Sequence, residues 1–468
     1  MNTASPLRIH RDSLRELLGL LSHSPRWREI GLLCLYEVTY FVAYHYGMSF
    51  SQASAAPFWF PDAILLCALL VSRKSHWWIL VLAPLPIRLF TSVAEDVPVW
   101  FLLAAFVIDA AKGLLAAAIL RRFAATTGWM RSVPQFAIFC LFAVLLIPAV
   151  SAFGGAAIRS VHGSDFWIAW EQWFLGDATA QLVLTPAILF WIEGGRWNWR
   201  QARRQDWIEG GLLAVGLVLA CQMALSGAAS SVGLTDARFY APVPFLFWAS
   251  IRFGMLGATA AISILAVATV TAAITGRGPF TGHDASETAR ALQNFLLLRA
   301  APVYLVAVSI DQRRRVEHAV RESEARFRNV ADTAPMLIWV ADADRLCQFC
   351  NQGWLKFTGR RLEHELGNGW TSGVHPEDLP HCVSAYHMAS NLRAPFEVEY
   401  RLRRYDGEYR RVLHKAVPRY SDSAEYLGYI GSVIDMTERS AVEEAARRVT
   451  HAQRLASMGE LLAVIAHE

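Results

Sequence analysis

Residues 98–120 read PVWFLLAAFVIDAAKGLLAAAIL, a nearly unbroken apolar run. About 20 such residues cross a hydrocarbon core as a helix. The exceptions, Asp109 and Lys112, stand three apart, so on a helix they share a face and can pair. Similar runs lie at 28–48, 55–72, 77–94, 134–153, 168–192, 207–226, 238–251, 255–275 and 291–311. The run at 238–251 carries Pro242 and Pro244. It reads as a spanning helix or as a re-entrant or broken segment buried among others. The first expectation is a polytopic α-helical membrane bundle of eight to ten spans.

Composition agrees. Hydrophobic residues make up 54% and the mean hydropathy is +0.28, above the 45–50% apolar content of ordinary soluble domains. The excess is confined to 28–311, whereas 312–468 is charged and reads as soluble. Four of the seven cysteines, Cys34, Cys67, Cys140 and Cys221, lie in apolar runs, which excludes a disulfide scaffold. The polar, basic start of the chain has no cleavable signal pattern.

Lys and Arg in short loops set orientation. They cluster before 28, at Arg73 and Lys74, at Arg121, Arg122 and Arg131, at Arg196 to Arg204, and at Arg313 to Arg315. Loops at 49–54, 95–97, 154–165 and 227–237 are poor in them, and 276–290 is mixed. An even number of spans then puts both termini in the cytoplasm of a bacterial inner membrane. Tryptophans at run ends, such as Trp77, Trp129 and Trp207, read as interfacial anchors.

Ionisable residues inside spans are costly and so informative. They are Glu37, Asp62, Arg88, Asp109, Lys112, Glu171, Asp177 and Arg252. Asp62, Asp109, Asp177 and Arg252 are the candidate sensing residues, with Asp109–Lys112 equally readable as a structural pair. Asp62 and Asp177 are placed to line a polar cavity.

Phe58-Trp59-Phe60-Pro61, Trp170-x-x-Trp173-Phe174-Leu175-Gly176-Asp177 with Thr185-Pro186, and Trp248-x-x-x-Arg252-Phe253-Gly254 resemble the signature segments of the MASE-type membrane-associated sensor domain. The resemblance covers 28–311 and implies signal input to an attached output module. It supplies no ligand.

Beyond the cytoplasmic segment 1–27 and the bundle 28–311, three further regions are expected. Over 312–331, Val316, Val320, Ser323, Phe327 and Val330 recur at spacings of 4, 3, 4 and 3, a short heptad-like seam. It reads as a dimeric signalling helix or as a helix lying on its own domain. Over 332–437, strands are expected at 336–340 and 346–350, and Asn351 caps a helix ending at Gly359. A helix starts near His375-Pro376-Glu377-Asp378. Alternation from Phe396 to Arg403 marks a half-buried strand, with a turn at Asp406-Gly407 and partner strands at 408–417 and 427–434. That order, with Asn351-x-x-Trp354, His375-Pro376-Glu377-Asp378, Asp406-Gly407-Glu408-Tyr409 and Asp435-Met436-Thr437, is similar to PAS domains, an α+β fold on an antiparallel sheet. Cys347 and Cys350, three apart on a strand, should face opposite ways. With His375, His381 and His387 they give no metal or haem site, and no bound cofactor is expected; the domain reads as an apolar pocket for an unknown small molecule or as a relay without ligand.

From 438 to 468 the residues read as a long coiled-coil-like helix. Val442, Ala445, Val449 and Ala452 form one seam, and Leu455, Met458, Leu462 and Ile465 a second, out of phase. The string from Leu455 to Glu468 resembles the H-box of the HisKA dimerisation and phosphoacceptor domain. The resemblance implies His467 as phosphoacceptor, Glu468 as the acid beside it, a homodimer, and a response regulator receiver as partner. His467 follows Ile465 by two residues, about 200° around a helix, which turns it away from the seam. An unprotonated imidazole can then attack a γ-phosphoryl group. No Walker-type loop occurs in the chain, so ATP and magnesium would be held by a catalytic domain not contained in these residues. Nucleic acid is not an expected partner. The rival readings are a transporter or channel with a regulatory PAS tail, and the sensor half of a cyclic-dinucleotide synthase.

Overall fold

The computed structural model describes residues 25–49, 58–93, 98–123, 129–161, 163–192, 203–225, 237–275, 277 and 285–436. The helix read over 438–468, with His467 and Glu468, lies outside the described residues, as does most of 1–27. The chain divides into two units after Val316.

The apolar runs of the first unit form helices α1 (Pro25–Ser49), α2 (Phe60–Val71), α3 (Trp77–Leu82), α4 (Leu85–Val93), α5 (Val99–Phe123), α6 (Val133–Ser160), α7 (Phe166–Ile192), α8 (Arg204–Leu225), α9 (Val243–Ile274) and α10 (Ala285–Thr333). Among the described residues, α5 to α10 are long and apolar enough to cross a membrane. α2 is short and, apart from Asp62 in its first turn, apolar all round, and it packs against α1, α5 and α7, as a helix without a solvent-facing polar side must. Pro84 lacks an N–H and Pro86 enters at the first turn of α4, so the run 77–94 breaks into two pieces. In α6, the segment Cys140–Leu146 widens to a π-helix just before Pro148.

The run at 238–251 is joined to 255–275 as a broken helix. Within α9, Gly254 has φ 60° and ψ −139°, a conformation open to glycine. Ala249 and Gly257 would lie about 12 Å apart on a straight helix. Here a Cβ on Gly257 would overlap the Ala249 carbonyl oxygen, so the chain bends sharply where the two halves of α9 meet.

The second unit holds a five-stranded antiparallel sheet in the order β2-β1-β5-β4-β3. Its strands are β1 (Leu337–Ala341), β2 (Cys347–Cys350), β3 (Phe396–Arg403), β4 (Tyr409–Tyr420) and β5 (Tyr426–Asp435). Between β2 and β3 run α11 (Gln352–Thr358) and α12 (Leu379–Leu392). Asn351 caps α11 by accepting from the Trp354 amide at 2.9 Å, and Gly359 closes it with φ 69°. Gly407, with φ 88°, supplies the β3–β4 turn. The helix expected to begin at His375-Pro376 begins instead at Leu379, with Pro380 in its first turn. Glu377 and Asp378 turn aside to bind Arg401.

The expectation that Cys347 and Cys350 face opposite ways is corrected. Cys350 pairs with Trp339 and Phe349 with Val340, but Cys347 pairs with Ala341. The extra residue, Gln348, makes a β-bulge that compresses three steps into two. Both thiols therefore point into the core, with Sγ atoms 3.5 Å apart.

Candidate functional site

Four helices of the first unit bring charges together where no water would hydrate them. Asp109 and Lys112 lie on one face of α5, and the Lys112 ammonium is 3.3 Å from Asp109 Oδ1. The same Nζ lies 2.5 Å from Asp177 Oδ2 on α7 and contacts Asp62 Oδ2 in the first turn of α2. The break at Pro84 sets Arg88 on α4, where its Nη1 is 2.9 Å from Asp109 Oδ2. Trp59 Nε1 donates to the same oxygen at 3.2 Å. The rings of Trp59, Tyr44 and Phe106 lie 5.4 to 5.7 Å from the Arg88 guanidinium, within cation–π range. All five charged residues are at most 5% exposed.

Three carboxylates thus face two cations. With every member ionised, the cluster carries one net negative charge, and such charge is expensive in a medium without water. By charge alone, the arrangement can accommodate one proton. Its members come from α2, α4, α5 and α7, so any change in that charge acts on the packing of four elements.

Of the sequence candidates, Asp62, Asp109 and Asp177 meet here, joined by Lys112 and Arg88. Arg252 does not. It lies in the first half of α9, where it pairs with Asp206 at 2.5 Å and Glu209 at 2.8 Å on α8, and Trp248 Nε1 donates to Glu209 at 3.1 Å. Glu171 pairs with Arg290 at 3.3 Å. Glu37 Oε1 is buried with no hydrogen-bond partner among the described residues.

A second polar feature was not singled out as a site in the sequence. The break in α9 exposes backbone groups at both helix ends, which need partners. Asp311 on α10 accepts from the Met255 amide at 3.1 Å, and Arg314 Nη2 donates to the Ile251 and Arg252 carbonyls at 2.9 and 3.1 Å. Acid at a helix N-terminus and base at a C-terminus also match the helix dipoles. On the same turn of α10, Gln312 Oε1 accepts from the Val133 amide at 3.0 Å, and Arg315 donates to the Arg131 carbonyl. The string Asp311-Gln312-Arg313-Arg314-Arg315 therefore clamps α10 to the broken helix and to the start of α6.

In the PAS-like unit, Trp339, Trp354, Trp370, Tyr386, His414 and the two cysteines surround a cavity with about 10 Å³ for the centre of a water-sized sphere. That is room for about one water molecule. Trp339 Nε1 donates to His414 Nε2 at 2.7 Å, which leaves the imidazole proton on Nδ1. Burial pushes the His414 pKa down to about 3, so the ring is neutral. Outside the core, Arg401 grips Asp378 through Nε at 2.9 Å and Nη2 at 2.8 Å, and holds its carboxyl at about 2.

Comparison with known proteins agrees with this division. The MASE1 family profile matches residues 30–314, more than half of the chain, and the chain belongs to that family. A PAS fold matches residues 348–433. An uncharacterized protein of Sinorhizobium fredii is 36% identical over 155 residues, 32% of this chain and 19% of that protein. The peroxide stress-activated histidine kinase mak1 of Schizosaccharomyces pombe is 27% identical over 164 residues, 32% of this chain and 10% of the kinase. The related mak3 is 28% identical over 165 residues, 34% of this chain and 7% of the kinase. The chain thus spans less than a fifth of each relative's length. A solved PAS domain from Colwellia psychrerythraea is 22% identical, over 25% of this chain and 98% of that one, with a TM-score of 0.23. A sensory box histidine kinase/response regulator from Burkholderia thailandensis is 24% identical, over 28% and 98%, with a TM-score of 0.22. A membrane sensor domain followed by a PAS domain, with similarity to histidine kinases, defines a membrane-embedded signalling sensor.

Proposed function

We propose that this chain is the input half of a two-component sensor histidine kinase. The membrane and PAS domains receive signals, and the outcome is ATP-dependent phosphorylation of His467 and transfer to a response regulator. The observation that carries the sensing half is the buried cluster of Asp62, Arg88, Asp109, Lys112 and Asp177, whose charge imbalance couples a change of protonation or of nearby charge to four helices. The output half rests on the H-box-like string ending in His467 and Glu468. ATP and magnesium are held by a catalytic domain that follows or joins this chain. A homodimer forms through the helix of 438–468. The apolar residues Val316, Val320, Phe327 and Val330, all at least 48% exposed, support an extension of that dimer along α10. Both termini lie in the cytoplasm, with the bundle in a bacterial inner membrane.

The test fuses a histidine kinase ATP-binding domain after Glu468 and supplies ATP labelled at the γ-phosphate. Label should appear on His467 and be absent from His467→Gln. Label retained in that variant overturns the output assignment. In the same fusion, Asp62→Asn and Asp177→Asn should change the labelling rate in membranes. Rates equal to the parent in both variants overturn the sensing assignment.

A further inference from the structure

We propose that Cys347 and Cys350 form a redox-active dithiol inside the PAS domain, oxidised to an intramolecular disulfide by hydrogen peroxide. This goes beyond the kinase reading and does not depend on it.

The geometry comes from the bulge at Gln348. It sets the two cysteines about two strand rises apart, roughly 6.6 Å between Cα atoms, at the upper end of the range that a disulfide accepts. Their sulfurs are already 3.5 Å apart, and closure to a bond of about 2.05 Å needs a shift of about 1.5 Å. The two thiols also differ. Either thiol can donate to the other; that contact lowers the pKa of Cys347 and, with burial, raises the pKa of Cys350. In the same domain, burial with the nearby Asp378 charge pushes the Cys382 thiol up to about 12. Cys347 is thus the attacking sulfur and Cys350 the resolving one.

The cavity beside the pair selects the oxidant. It admits a molecule close to the size of water. The surface that its lining residues turn to it is apolar. Hydrogen peroxide, with two heavy atoms, is the smallest hydroperoxide, and a bulky one does not fit.

In the first step the Cys347 thiolate attacks one peroxide oxygen. An S–O bond forms, the O–O bond breaks, and hydroxide leaves, taking a proton to become water. Sulfur is oxidised by two electrons to the sulfenic acid, and the peroxide is reduced. Cys350 then loses its proton and attacks that sulfur. The S–S bond forms, the S–O bond breaks, and a second water departs. Two thiols and one peroxide give one disulfide and two waters.

The bond would be felt beyond the pair. Cys347 exchanges both backbone hydrogen bonds with Gly367, at 2.9 and 2.8 Å. Cys350 sits opposite Trp339, which holds His414 on β4.

The experiment treats the full chain in nanodiscs with hydrogen peroxide or cumene hydroperoxide, then maps thiols by mass spectrometry with and without dimedone. Hydrogen peroxide should link Cys347 to Cys350, reversibly with dithiothreitol, before Cys382 reacts, and cumene hydroperoxide should not. Cys350→Ser should arrest at a dimedone-trapped Cys347, and Cys347→Ser should leave Cys350 unlabelled. Circular dichroism checks that both variants fold. The proposal fails if both sulfurs stay reduced while Cys382 oxidises, if dimedone marks Cys350 first, or if the bulky peroxide links the pair as fast.

Discussion

The bundle and the PAS domain both bury polar atoms, by opposite means. In the bundle five charged side chains are buried together, gathered so that each has an opposite charge beside it. In the PAS core most buried polar groups are neutral, among them His414, Tyr386, Trp354 and two thiols, and the buried acid Glu365 keeps a half-buried partner, Arg360, at 3.3 Å. Most charges there lie at the surface as pairs such as Asp378–Arg401 and Glu397–Lys415. The difference follows from solvent. A helix in lipid cannot turn a charge toward water, so its charges must find each other across helices. A strand in water can place its charges on the open face, and a charge left in the core needs a partner, as Glu365 has in Arg360. Removing one charge should therefore cost much in the first region and little in the second.

The sharpest break is Lys112→Met. It leaves Asp62, Asp109 and Asp177 buried without their shared cation, and loss of one partner from a buried network costs about 3–5 kcal/mol. Thermal unfolding in nanodiscs checks it. Arg252→Gln is the internal control, because that side chain is 41% exposed and its loss should cost about 1 kcal/mol or less. Equal effects from the two variants would mean that water reaches the cluster.

The next effect is a pH dependence in the PAS core. The folded-state pKa of His414 lies below the unfolded value of 6.5, near 3. The unfolded chain takes up the proton first, so stability is whole above about pH 6.5 and is lost as pH falls from there toward 3. Between pH 7 and pH 5 the loss should be about 2 kcal/mol, read from hydrogen exchange at β4 and β5 amides. His414→Gln should remove that slope. A slope that survives the substitution would place its origin elsewhere.

Asp378→Asn should be smaller. Arg401 depresses the Asp378 pKa to about 2, so the pair contributes above about pH 4 and is lost as pH falls from there through about 2. The side chains are 23% and 41% exposed, and solvent screening limits the contribution to about 1 kcal/mol. The variant should lose it at pH 7 and match the parent near pH 2 by denaturant unfolding.

The sequence made some of this legible and hid the rest for identifiable reasons. Hydropathy located the helical runs, and the i, i+3 spacing suggested that Asp109 and Lys112 pair. That Asp62, Arg88 and Asp177 join them depends on packing among α2, α4, α5 and α7, which no local pattern encodes. Alternation placed β3, because one face of that strand is wet. It failed at β2, where a single extra residue, Gln348, reverses the facing of Cys347, and bulges leave no period to read. Asp311 and Arg314 were visible as charge at the end of a span, but their partners are backbone groups freed by a break 57 residues earlier at Gly254.

The smallest expected effect completes the contrast. Lys415 and Glu397 face each other across β3 and β4, 2.9 Å apart and 54% and 55% exposed. Water competes for both ends, and holding two long side chains in one geometry costs entropy, so Lys415→Ala should change stability by about 0.5 kcal/mol or less. Raising the salt to 1 M shortens the screening length to about 3 Å and should remove even that. The ammonium of Lys112 makes contacts of the same type and length, yet its removal should cost several times more and be indifferent to salt. If Lys415→Ala proved as costly as Lys112→Met, burial would not be what gives a charge its weight in this chain.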